Sequence, residues 1–197
     1  MNKIVFATKN KHKLKEVKEI LSDYEVLSLS DINFNDEVDE PGETTEENAE
    51  LKAVAIYEYC KKNHLDYSVF ADDTGLFVES LDGAPGVHSA RFSGDHNDEA
   101  NRQKLLHCLD GIGNRNAYFQ CSICFIHEDK VYFFKGKTYG TITTEKIGND
   151  TFGYDCLFYS NDLEKTFGEA TDDEKNSVSH RGRAVKELAL WLKNNTK

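Results

Sequence analysis

Two prolines in 197 residues, and no low-complexity tract or internal repeat, leave little reason to expect disorder. With 39% hydrophobic and 30% charged residues, the composition is that of a soluble, folded chain with enough apolar material for a real core. That length fits one domain, or one domain with two lobes. No apolar run is long enough to cross a membrane. The N-terminus lacks the apolar stretch of a signal peptide and the five cysteines are odd in number, so a reduced, cytoplasmic setting is expected. Cys121 and Cys124 have a metal-site spacing, but they fall in a stretch that reads as a strand. Side chains three apart there point to opposite faces and do not converge on one ion. Excess basic charge is also missing. A net charge of −11 argues against nonspecific nucleic-acid binding, although it leaves room for a small phosphorylated ligand held by a local basic patch.

Such a patch is present near the N-terminus, where Lys9, Lys11, Lys13, Lys15 and Lys18 face only Glu16 and Glu19 as local acids. Lys3 to Thr8 reads as a buried strand and Lys11 to Leu21 as a helix with Leu14, Val17, Ile20 and Leu21 on one face. The junction Thr8-Lys9-Asn10 would offer amide N–H groups at a helix start, where the helix dipole favours an anion. The glycines and terminal Gly-Lys-Ser/Thr of a Walker loop are missing. An ordinary strand–helix junction with solvated lysines is the other reading of these residues. Tyr24 to Leu29 reads as a second strand. After an acidic loop carrying Glu40, Thr44 and Glu47 form a capping box that opens a helix to about Lys62.

Residues 69 to 94 form the stretch around which the rest is arranged. A short apolar strand, Ser68 to Ala71, runs into Asp72-Asp73-Thr74-Gly75, where the chain can turn or bulge. Two adjacent carboxylates at a buried strand end need a cation, a basic partner or water. Oxygen donors of this type suit a hard cation such as Mg2+, while the plainer reading is a turn whose acids cap backbone amides. Since neighbours on a strand face opposite ways, Asp72 and Asp73 share a site only if the strand breaks at Thr74-Gly75.

His96 to Cys108 reads as a helix with Ala100, Lys104 and Leu105 to Cys108 towards its inner side. Tyr118 to His127 and Lys130 to Thr138 read as a hairpin turning at Glu128-Asp129. Phe152-Gly153-Tyr154-Asp155 follows, then a strand from Cys156 to Tyr159. Thr171 and Glu174 make a second capping box ahead of the C-terminal helical region. On one straight helix Lys175, His180 and Arg181 would point three ways, so a shared site requires an interruption between Asn176 and Ser179. Strand–helix alternation followed by a hairpin gives an α/β fold, a mixed sheet flanked by helices.

Six segments in register resemble the inosine triphosphate pyrophosphatase family: Thr8 to Lys13, Glu47 to Ala53, Ala71 to Leu76, Gly83 to Gly86 with Ser89 to Gly94, Phe152 to Asp155, and Glu174 to Asn176 with Ser179 to Ala184. They span nearly the whole chain. The resemblance implies an elongated α/β protein with two lobes around a central cleft, commonly a homodimer. It also implies a Mg2+-dependent hydrolase that converts ITP, dITP or XTP to the monophosphate and pyrophosphate. Carried over, Thr8, Lys9, Asn10, Lys11, His12 and Lys13 would hold the triphosphate, with Lys52 beside them. Asp73 would bind metal and accept the proton of the attacking water, Glu40 and Asp72 would complete the metal environment, and Thr74 would touch substrate. Phe152, Gly153, Tyr154, Asp155, Lys175, His180 and Arg181 would serve the nucleoside.

Base choice follows from donor chemistry. Arg181 is donor-only and matches the 6-oxo group of hypoxanthine or xanthine, whereas adenine opposes it with an amino group. An aromatic at Phe152 or Tyr154 would stack on the purine, or else belong to the core. Two departures stand out: Thr74 replaces a common serine, and Cys156 stands where the family usually has proline, which leaves the backbone there without a fixed φ. The rival readings are a pyrophosphatase for other modified nucleotides, a non-catalytic nucleotide sensor, and a structural interaction module. The last leaves unexplained a lysine cluster, an acidic strand and a Ser-His-Arg segment in one acidic chain.

Overall fold

The computed structural model describes residues 3–150 and 152–196. Eight strands form one mixed sheet: β1 (Lys3–Phe6), β2 (Glu25–Leu27), β3 (Ser68–Val78), β4 (Pro85–Gly86), β5 (Asn116–His127), β6 (Lys130–Ile142), β7 (Phe158–Ser160) and β8 (Lys165–Thr166). Their order is β2-β1-β3-β5-β6-β7-β8, with β4 beside β3. β1 pairs in parallel with both β2 and β3, whereas β7 runs antiparallel to β6 and to β8. Five α-helices accompany the sheet: α1 (Lys11–Ile20), α2 (Thr45–Lys62), α3 (Asp98–Cys108), α4 (Asp172–Val178) and α5 (His180–Asn195). The chain divides into two compact units.

The first unit comprises Met1–Asp73, Cys121–Gly136 and Arg181–Lys197. Strand alternation makes its two cores. Ile4, Phe6 and Phe70 point to one face, where Val17 and Leu21 of the α1 region and Val185, Leu188 and Leu192 of α5 cover them. Val5, Ala7, Val69 and Ala71 point to the other, under Ala49, Ala53 and Ile56 of α2. The period of two on β1 therefore meets helical stripes on both sides, as a buried parallel strand requires. Cys121 lies in the first core and Cys124 in the second, so the two thiols face opposite ways as their spacing implies. All five cysteines are free.

The second unit comprises Thr74–Gln120 and Lys137–His180. Its core gathers Leu76 and Val78 of β3, Leu105 and Leu109 of the α3 region, Phe119 of β5, and Tyr154, Cys156, Leu157 and Phe158. On α3 the buried residues are Asn101, Arg102 and Leu105, while Lys104 is exposed and donates to the Phe92 carbonyl. The inward face expected from the sequence is thus rotated. Leu105 is the buried apolar residue within the helix, with Leu106 partly buried and Leu109 just past its end, and polar residues that find partners take positions an apolar count would have left to solvent.

Both capping boxes form. Thr44 accepts from Glu47 N and Thr171 from Glu174 N, with the glutamates returning to the caps. The hairpin turns at Glu128 and Asp129, which sit at φ 49° and 60°. That left-handed pair matches the twist of the flanking strands. One expectation changes: β3 does not end at Ala71 but continues to Val78, so Asp72-Asp73-Thr74-Gly75 is strand and not a turn. The C-terminal helical region is interrupted at Ser179, whose ψ of 157° separates α4 from α5.

Candidate active site

Because β3 runs unbroken through Asp72 and Asp73, the two carboxylates leave it on opposite sides and acquire different partners. Asp72 is 2% exposed. Its Oδ1 accepts from Lys13 Nζ at 2.9 Å and its Oδ2 from Arg181 Nε at 3.0 Å, with Cys121 Sγ at 3.8 Å. Burial alone would raise this carboxyl's pKa, but Lys13, Arg181 and Lys52 outweigh it and hold the group well below the usual carboxylate range. Arg181, itself buried, uses Nη1 on Glu16 of α1. Burial disfavours its charge, and Glu16 and Asp72 more than restore it. These groups form an ion-pair network that favours the charged form of Asp72.

Asp73 faces the other set. Its Oδ1 lies 3.4 Å from Lys52 Nζ, which also donates to Glu40 Oε2 at 2.6 Å. Its Oδ2 lies 3.4 Å from Asn48 Nδ2. Burial is the largest influence on Asp73 and raises its pKa, opposed by Lys52 and Lys13 and reinforced by Glu40 and Asp72. A carboxylate lifted this way is a better proton acceptor than an ordinary aspartate. Lys52 is kept protonated, since Asp73, Asp72 and Glu40 together exceed the effect of its burial. Asn48 accepts from Gly42 N at 2.8 Å, which ties the loop carrying Glu40 to helix α2 beside Asp73. A Cβ on Gly42 would lie 2.6 Å from Asn48 Oδ1, so glycine is required for that approach.

No group of three His, Cys, Asp or Glu side chains among the described residues is arranged to hold a metal. The donor set nevertheless fits a hard divalent ion. Mg2+ commonly takes one or two carboxylates and completes its shell with water and phosphate oxygens. Asp73 and Glu40 already share one cation, the Lys52 ammonium. Asp72, expected as a third metal acid, is instead turned to Lys13 and Arg181.

The start of α1 behaves differently from an open anion site. Asn10 is the N-cap, and its Oδ1 accepts from His12 N at 2.9 Å and Lys13 N at 3.2 Å. Thr8 Oγ1 accepts from Asn10 N at 3.2 Å, and Lys9 donates to the Asn35 carbonyl. Lys9, Lys11 and His12 are exposed, while Lys13 alone of the six reaches inward to Asp72. Thr74 follows Asp73 on β3 and is half-buried.

In the second unit, Lys175 of α4 donates to Asp155 Oδ2 at 2.6 Å and lies 5.1 Å from the Phe152 ring centroid. Phe152, Asp155 and Lys175 are therefore together. Gly153 adopts φ 50°, a left-handed turn between the two aromatics. Tyr154 belongs to the core. It is 4% exposed, and its hydroxyl donates to the Ser89 carbonyl at 2.7 Å. His180 is stacked on Phe119 with ring centroids 4.7 Å apart. The break at Ser179 separates Lys175 on α4 from His180 and Arg181 on α5.

Sequence reasoning passed over Asn48, Glu16, Asp98 and Arg102. Spacing was the available signal for the first two: Asn48 precedes Lys52 by four residues on α2, and Glu16 follows Lys13 by three on α1, so each shares a helix face with a candidate residue.

A mixed α/β sheet with a buried lysine–carboxylate cluster, one carboxyl of which is raised towards basicity, defines a protein suited to polyanionic substrates. The chain belongs to the Ham1 family, whose model matches residues 4–191. It is 45% identical to a dITP/XTP pyrophosphatase of Clostridium perfringens, with 98% of each chain covered. It is 46% identical to the dITP/XTP pyrophosphatase of Christiangramia forsetii, covering 96% of this chain and 98% of that one. The solved Ham1 protein of Staphylococcus aureus superposes with a TM-score of 0.86 at 38% identity, covering 98% of this chain and all of the other. The resemblance read from the six segments is borne out, as is the mixed α/β fold.

Proposed function

We propose that this protein hydrolyses non-standard purine nucleoside triphosphates, ITP, dITP and XTP, to the nucleoside monophosphate and pyrophosphate, and so clears them from the nucleotide pool. The observation that carries the reading is Asp73, a buried carboxyl with raised pKa beside a protonated Lys52 and the Glu40 loop, in a chain that matches dITP/XTP pyrophosphatases end to end. Water attacks the triphosphate, the α,β-anhydride breaks, and pyrophosphate leaves. Asp73 accepts the water's proton, Lys52 and Lys13 offset the phosphate charge, and Thr8 to Lys13 line the polyphosphate. Asp73 and Glu40 would hold Mg2+, which when bound would supply charge neutralisation at the phosphate oxygens. Asp72 keeps Lys13 and Arg181 in place.

Nucleoside roles go to Phe152, Asp155, Lys175, His180 and Arg181, with Phe152 rather than the buried Tyr154 as the stacking ring. Donors at the base position satisfy a 6-oxo purine and leave adenine opposed. In line with the resemblance, the protein works as a homodimer in the cytoplasm. Among the described residues no helix is long and apolar enough to cross a membrane.

Pyrophosphate release measured in parallel on ITP, dITP, XTP, GTP and ATP, with Mg2+ and with chelator, tests the reading. Metal-dependent release from the first three and little from GTP or ATP is expected. Binding without release from any of them would make the protein a nucleotide sensor.

A further inference from the structure

Cys156 follows the segment presenting Phe152 and Asp155 and does not fix φ there as a proline would. The first turn of α3 supplies another constraint. Asp98 Oδ2 accepts from Gly153 N at 2.8 Å, and Arg102 Nη1 donates to Gly153 O at 2.7 Å. One peptide residue thus has both its donor and its acceptor held by side chains four apart on one helix. Arg102 is 4% exposed and is itself fixed, because Glu99 Oε2 accepts from its Nε at 3.2 Å and its Nη2 at 3.0 Å. Glu99 is held in turn by Gln103 and Lys146.

Gly153 stands between the stacking ring and the acid paired to Lys175. A Cβ there would meet nothing within 4 Å, so the left-handed φ of 50°, and not crowding, calls for glycine. Rotating this peptide would swing Phe152 and Asp155 together, since Asp155 N also donates to Phe152 O at 3.2 Å. The geometry points to Asp98 and Arg102 as positioning residues that set base selectivity by clamping the Gly153 peptide, and so fix Phe152 and Asp155 for a 6-oxo purine. This inference rests on the assignment of Phe152 and Asp155 to the nucleoside. Neither Asp98 nor Arg102 touches the polyphosphate groups in this account, so their effect falls on discrimination and not on triphosphate binding.

The test compares Asp98→Ala and Asp98→Asn with wild type in kcat/KM for ITP, GTP and ATP, in inhibition by inorganic tripolyphosphate, and in melting temperature. Asp98 lies at an exposed position, so neither variant threatens the core. Asp98→Ala is expected to lower the ITP-over-ATP ratio about tenfold, the worth of one hydrogen bond to a charged acceptor. Tripolyphosphate inhibition should stay within about twofold, because the probe has no base. Asp98→Asn retains an acceptor and restores the ratio. An unchanged ratio in Asp98→Ala overturns the inference, and so does a parallel fall in all substrates, tripolyphosphate inhibition and melting temperature, which marks a merely structural role. Phe152→Ala run alongside separates the two levels. If it leaves KM for ITP unchanged, the nucleoside assignment itself fails; if it raises KM while Asp98→Ala changes nothing, only the clamp fails.

Discussion

Replacing Asp72 by asparagine removes a negative charge from between two buried cations while keeping the side chain's volume. Lys13 Nζ and Arg181 Nε lose their shared carboxylate at 2.9 and 3.0 Å, and Glu16 remains as the partner of Arg181. Breaking a buried ion pair from one side costs about 3–5 kcal/mol, because the surviving charge stays desolvated. Asparagine still offers one acceptor, which places Asp72→Asn near the lower end, about 3 kcal/mol. For a chain of this size 1 kcal/mol moves the melting temperature by about 2–4 °C, so a drop of about 6–12 °C is expected at pH 7. The pH dependence gives a second handle. Asp72 is held below its unfolded pKa, so its contribution is complete above about pH 4 and fades as pH falls through the folded value. The gap between wild type and Asp72→Asn in thermal denaturation followed by circular dichroism should therefore be constant from pH 5 to 8 and narrow below about pH 4. A drop under about 2 °C at pH 7, or a gap that widens in acid, would refute the ion-pair account.

Asp73→Asn should abolish pyrophosphate release from ITP yet melt at or above wild type at neutral pH. Burial raises the Asp73 pKa, so the charged form opposes folding as pH rises through that value, and asparagine removes the conflict. Gly42→Ala drives a methyl against Asn48 and Glu47, and should cost about 1–3 kcal/mol in urea denaturation. It should also weaken Mn2+ binding followed by electron paramagnetic resonance, since the Glu40 loop is displaced. Leu188→Ala empties a fully buried position of the first core and should cost about 2–5 kcal/mol, without altering the ITP-over-GTP ratio in the protein that remains folded.

The elements were legible where a single periodicity governed them. Both capping boxes, the helical stripe of α5 and the Glu128-Asp129 hairpin follow from residues close in sequence, and the structure contains each. A break between Asn176 and Ser179 was the condition for Lys175, His180 and Arg181 to serve one site, and the helix is interrupted at Ser179. Motif order along the chain was enough to identify the family.

Strand length and pairing were another matter. Asp72-Asp73-Thr74-Gly75 has the composition of a turn, and its extension as β3 is set by neighbours on both sides of the strand, which local propensity does not encode. The same strand assigns the adjacent acids opposite fates. Asp72 meets Lys13 and Arg181, separated from it by 59 and 109 residues, and stays charged; Asp73 meets Lys52 and Asn48 and is lifted towards basicity. Asp98 and Arg102 acquired their contacts for the same reason, since Gly153, more than fifty residues on, leaves no periodic trace beside them. The sequence by itself determined which chemistry was available, because side-chain types and their local spacing are written in it. Tertiary structure alone decided which acid has its pKa raised and which is held charged, because desolvation and Coulomb interaction depend on distance in space.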